Sequence, residues 1–62
     1  MLDLDKIAMI VIKYRVENKL TQQELANKIG VSNKTICDIE NGKNTVRKRT
    51  LINVISKIQG GI

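Results

Sequence analysis

Residues 21–42, TQQELANKIGVSNKTICDIENG, decide how this chain folds. Thr21 with Glu24 three positions later forms a capping box. The threonine hydroxyl accepts from the Glu24 N–H while the Glu24 carboxylate accepts from the Thr21 N–H. Such a cap is worth about 1 kcal/mol to a helix. Leu25, Ala26 and Ile29 then recur at helical spacing and face inward. Gly30 suits the left-handed position just past a helix end, and Val31 can fold back over the last turn. Ala26 is small where a following helix must cross closely. Ser32 caps a third helix expected from Asn33 to Asn41, which Asn41-Gly42 ends. Ile36 and Ile39 join Val31 in the core, whereas Asn33, Lys34, Cys37 and Asp38 follow the pattern of the opposite, outward face.

Outward from this stretch, a first helix is expected over Leu4–Asn18, with Ile7, Ile10, Val11 and Tyr14 on one stripe. Met9, Ile12 and Val16 lie off that stripe. Either a later helix covers them or they form a subunit contact. A basic loop, Lys43 to Arg49, leads to a last helix at about Lys48–Ile58, with Leu51, Val54, Ile55 and Ile58 apolar and Gln59-Gly60-Gly61 as its stop. Strand signals, repeats and low-complexity tracts are all missing. The reading is an all-α, compact four-helix architecture, a single domain over 1–62 whose motif spans about 21–42.

Composition narrows what such a domain can do. At 62 residues, folding buries about 60% of the surface that the unfolded chain exposes, so close helix packing or a partner subunit is needed. The net charge is +5, and the second half of the chain carries four of those five charges, which favours a polyanionic partner. One tyrosine is the only aromatic residue, too few for a base-stacking platform on single strands. One cysteine and no histidine leave no zinc site and no Cys–His or Ser–His catalysis. Asp38 and Glu40 diverge on their helix and make no acid–base pair. The expectation is a non-enzyme with no cofactor and no metal. The lone cysteine, the short apolar run Ile7–Ile12 and the acidic N-terminus point to the cytosol, without membrane span or secretory signal.

A helix, a tight glycine turn and a second short helix with a polar outer face is how a helix-turn-helix presents a reading helix to the DNA major groove. The stretch resembles the Xre-type helix-turn-helix of phage repressors and Cro proteins, a lambda-repressor-like domain. The likeness runs from about Ile7 to Ile58. Its markers are Leu25, Ala26, Gly30, Val31, Ile36, Ile39, Glu40 and Gly42, with Arg15 before them and TLINVISKI after. The resemblance implies sequence-specific binding of double-stranded DNA, usually as a homodimer on a two-fold symmetric operator, and usually repression. An activator or restriction-modification controller shares the scaffold. A protein-interaction module such as an antitoxin is the alternative from another class.

Residue by residue, the resemblance assigns Asn33 and Lys34 to base edges, with Asp38 at a further base contact and Cys37 beside it. It gives Gln22, Asn41 and Lys43 phosphate contacts, with Thr21 beside Gln22 at the second helix's start expected as a further one, and it makes Arg15 and Glu40 a buried ion pair. Side-chain chemistry agrees: Lys34 suits guanine O6 and N7, and Asn33 the N6/N7 edge of adenine. Asp38 either accepts from cytosine N4, repels phosphate to set register, or is a solvated helix charge. Cys37 either touches a thymine methyl or is a half-exposed thiol. Arg47, Lys48 and Arg49 either meet phosphates or form a solvated loop. The sequence departs from the family pattern by lacking a proline before the last helix. It also shows no fifth helix, so the chain either self-associates through Ile52 and the surplus apolar residues of the first helix, binds as a monomer, or is a fragment.

Overall fold

Asp3 opens the first helix by accepting from the N–H groups of Asp5 and Lys6 at 3.1 and 3.2 Å, which satisfies donors that a helix N-terminus leaves free. The computed structural model describes residues 3–61. Among these lie four α-helices and no strand: α1 (Leu4–Glu17), α2 (Gln22–Ile29), α3 (Asn33–Glu40) and α4 (Lys48–Gln59). Asn18 and Asn41 are caps and not helical residues, and α4 runs one residue past Ile58. The capping box of α2 is formed, with Thr21 Oγ1 accepting from the Glu24 N–H at 3.1 Å and Glu24 accepting from the Thr21 N–H at 2.9 Å. Ser32 Oγ accepts from the Thr35 N–H at 3.1 Å and so caps α3. Arg47, the residue before α4, offers no side-chain cap. Val46 and Leu51 instead occupy the positions of a hydrophobic staple, and both belong to the apolar cluster.

The helix ends explain the tight connections. At α1 the Leu20 N–H bonds the Arg15 carbonyl at 2.9 Å and the Lys19 N–H bonds that of Val16 at 3.1 Å. This is a Schellman motif with Lys19, a non-glycine, at φ +55°. Gly30 takes the left-handed position after α2 at φ +90°, and the Gly30 and Val31 N–H groups both bond the Ala26 carbonyl. Lys57 of α4 places its ammonium 2.6 Å from the Ile29 carbonyl, a cation on the negative end of α2.

These turns fold the apolar faces into one core. Val11 of α1, Leu25 and Ala26 of α2, Ile36 of α3 and Val54 of α4 are completely buried, with Ile29, Ile39 and Leu51 nearly so. Ile10, Tyr14, Val31 and Ile55 pack against this cluster while remaining partly exposed. Met9, Ile12 and Val16 are covered by no other described element: Met9 is 70% and Val16 62% exposed.

One polar node fixes α3 against its neighbours. Arg15 Nε and Nη2 donate to the two Glu40 oxygens at 2.8 and 3.2 Å, and Nη1 donates to the Leu20 carbonyl at 3.1 Å. Gln22 Nε2 donates to the same carboxylate at 3.1 Å. The Glu40 side chain is only 6% exposed. One carboxylate thus joins α1, α2 and α3, and the guanidinium fork also holds the turn between α1 and α2.

Two sets of stability changes follow. Lys19→Gly relieves the left-handed strain and should raise stability in urea unfolding by about 0.5–1 kcal/mol. Gly30→Ala should lower it by about 1–2 kcal/mol from backbone strain alone, because the nearest atom to the added Cβ is Lys57 Nζ at 4.0 Å. Arg15→Ala leaves Glu40 buried without its cation and should remove about 3 kcal/mol. A chain of this length has only about 3–9 kcal/mol to lose, so the urea midpoint followed by circular dichroism should fall by about a third or more. Arg15→Met with Glu40→Leu removes both charges and should regain most of that loss; a fully stable Arg15→Ala would contradict this role.

Candidate nucleic-acid interface

Because Ile36 and Ile39 anchor one side of α3 in the core, the residues at the other side of its wheel form an outward strip. Asn33 is exposed at the first turn and Lys34 beside it is 81% exposed at its side chain. Cys37 is half-buried one turn on, and Asn41 is exposed past the helix end. Asn41 Nδ2 donates to the Cys37 carbonyl at 2.9 Å and lies 3.4 Å from its sulfur, which fixes the lower end of the strip.

The structure corrects the expectation that Asp38 is displayed on this strip, for Asp38 is only 8% exposed. Lys34 Nζ donates to Asp38 Oδ2 at 3.0 Å, and Lys43 Nζ stands 3.6 Å from Oδ1. The chain after α3 turns at Gly42, φ +68°, so that the Lys43 N–H bonds the Asp38 carbonyl at 3.0 Å. A helical wheel contains no such returning chain. The hydrogen bond from Lys34, reinforced by the fields of both lysines and opposed by burial, holds the Asp38 carboxyl below the usual carboxylate range. It is therefore ionised at neutral pH.

The start of α2 is committed in part to structure. Thr21 Oγ1 accepts within the capping box and keeps its hydroxyl hydrogen for an outside acceptor. Gln22 is half-buried with its amide nitrogen on Glu40, so the node that orients α3 also holds this side chain. Backbone hydrogen bonding from Thr21 lowers the Glu24 carboxyl, while hydrogen bonding to Glu40 raises Arg15; both groups are charged at neutral pH.

Lys43, Arg47, Lys48 and Arg49 are all exposed. The last three stand at the N-terminus of α4, with no acidic residue in its first turn and no side-chain cap. Cations there oppose the helix dipole, which favours anions at that end. Sequence reading anticipates the cations but misses Lys57, whose carbonyl partner lies in another helix with no local signal. It also misses the grip of Lys43 on Asp38.

No group of side chains among the described residues is arranged to hold a metal ion, and no helix among them is long and apolar enough to cross a membrane. A search of curated proteins returns no match to the chain. The helix-turn-helix family model matches residues 11–59, a span that takes in the second half of α1, all of α2 and α3, and α4 to its last residue. Position for position, that span includes the Arg15–Glu40 node, the Gly30 turn and the outward strip of α3. The chain belongs to the Xre-type helix-turn-helix family of DNA-binding regulators, a family that is generally non-enzymatic.

Proposed function

We propose that this protein is a sequence-specific transcriptional regulator of the cytosol, a repressor that binds a two-fold symmetric operator as a homodimer with α3 in the major groove. The observation that carries this reading is the mounting of α3. Its apolar side is locked in the core, a bidentate ion pair sets its angle, and Asn33 and Lys34 stand exposed at its N-terminal turn. In helix-turn-helix complexes the N-terminal residues of the reading helix meet base edges. Lys34 serves guanine acceptors and Asn33 adenine, with the Cys37 thiol beside them suited to a thymine methyl. Thr21, Gln22, Asn41, Lys43, Arg47, Lys48 and Arg49 serve the phosphates, which position the protein without specifying sequence.

The N-terminus of α4 supports this assignment. Three cations on an uncapped positive helix end lower stability, so a fold optimised for itself would not place them there. A phosphate would neutralise both the side chains and the free N–H groups. Two copies on one operator would set their α3 helices ~34 Å apart in successive major grooves. An isologous contact fits that symmetry, and exposed Ile52, Met9, Ile12 and Val16 supply the apolar surface for it. Those same side chains favour a second reading, in which the domain docks a protein and binds no operator.

Fluorescence anisotropy with a random-sequence duplex over a salt series separates the two. About six phosphate contacts give a log–log slope near −5, whereas a flat response would overturn the DNA reading. Lys34→Ala should keep its helical spectrum and lose about tenfold or more on a selected site, equivalent to ~1–3 kcal/mol. Lys48→Glu should raise thermal stability by about 0.5 kcal/mol and weaken duplex binding. That opposite movement of stability and affinity is what a phosphate contact predicts.

A further inference from the structure

We infer that Asp38 is a positioning residue for DNA discrimination: a covered anion that holds Lys34 on the reading face and Lys43 beside it, and suppresses binding to arbitrary sequence. This rests on the DNA reading above. Helix stability gives no reason for the arrangement. Lys34 lies in the first turn of α3 and Asp38 near its end, so both charges oppose the helix dipole, and α3 has neither an acid in its first turn nor a base in its last. The order lysine then acid at i, i+4 is also the weaker orientation of such a pair. A sequence chosen for the helix alone would exchange the two.

The geometry shows what the arrangement does instead. One carboxylate receives Lys34 at 3.0 Å on one oxygen and Lys43 at 3.6 Å on the other, while Asp38 itself is covered. A free lysine samples many rotamers, and fixing it on binding costs side-chain entropy. Anchoring the Lys34 ammonium on Asp38 before DNA arrives lowers that ordering cost and leaves its remaining hydrogens to donate outward. Asp38 cancels one of the two lysine charges gathered on it, so the three groups together carry +1 in place of +2. Lys34 therefore acts as a directed donor toward base acceptors and adds little to the attraction for any phosphate. Non-specific affinity scales with the cations free to displace counterions, so Asp38 lowers that background while sharpening the specific contact.

The test compares wild type with Asp38→Asn on two probes, a random-sequence duplex and the duplex that wild type recovers in selection, each over a salt series. Asp38→Asn should bind the random duplex three- to tenfold more tightly at low salt, with a slope steeper by about 0.9, and its selected-to-random ratio should fall at least tenfold. Asp38→Ala, a better helix former that leaves no amide to satisfy, should change both quantities in the same direction and covers the case in which the asparagine variant fails to fold. In a Lys34→Met background the effect of Asp38→Asn on the ratio should largely disappear, because the aspartate acts through that lysine. Equal weakening on both probes, or an unchanged ratio and slope, would overturn the positioning role while leaving the DNA reading intact. Loss of all salt-dependent duplex binding in wild type would overturn both.

Discussion

The Arg15–Glu40 pair is the constraint on which the rest of the structure depends. Apolar burial holds four helices together but is non-directional, and a core drawn from so short a chain cannot alone fix how an eight-residue helix is rotated and tilted. A guanidinium can. Its fork meets both carboxylate oxygens in one plane, and its third nitrogen reaches the Leu20 carbonyl in the turn before α2. With Gln22 on the same carboxylate, the start of α2 and the end of α3 share one anchor. A lysine at position 15 would supply charge without that geometry.

The places where the chain disregards helix energetics have a pattern. The starts of α1 and α2 carry the expected acids, Asp3 as a cap and Glu24 in its box. In α3 and at the start of α4, lysine and arginine occupy first turns that favour acids. These departures fall in the part of the chain that also holds most of the net positive charge. Local rules are broken where a site needs them broken, and a polyanion is the ligand that would relieve those misplaced cations. Lys19 at φ +55° lies outside this pattern; it is a local strain at a turn that glycine would serve better.

Most of the fold was legible because its signals are local. The Thr21–Glu24 box, the Gly30 turn, the Ser32 cap and the isoleucine spacing of α3 each concern residues within one or two turns of each other. Asn33 and Lys34 could be placed outward on the same basis. Asp38 could not, because the chain returns after Gly42 to bring Lys43 against it, a contact outside the periodicity of α3 itself. Lys57 on Ile29 was invisible for the same reason, its partner lying 28 residues away in the chain. The surplus apolar residues of α1 were visible as surplus, but no sequence pattern states whether a neighbouring helix covers them; the structure leaves them open to solvent.

Amide chemical-shift mapping during titration with duplex DNA is the most direct test of how α3 is used. A reading role for α3 puts the largest shifts at Asn33, Lys34 and Cys37, with a second group at Thr21, Gln22 and the 43–49 loop. Shifts gathered on Met9, Ile12, Val16 and Ile52, with the N-terminal turn of α3 unmoved, would contradict it.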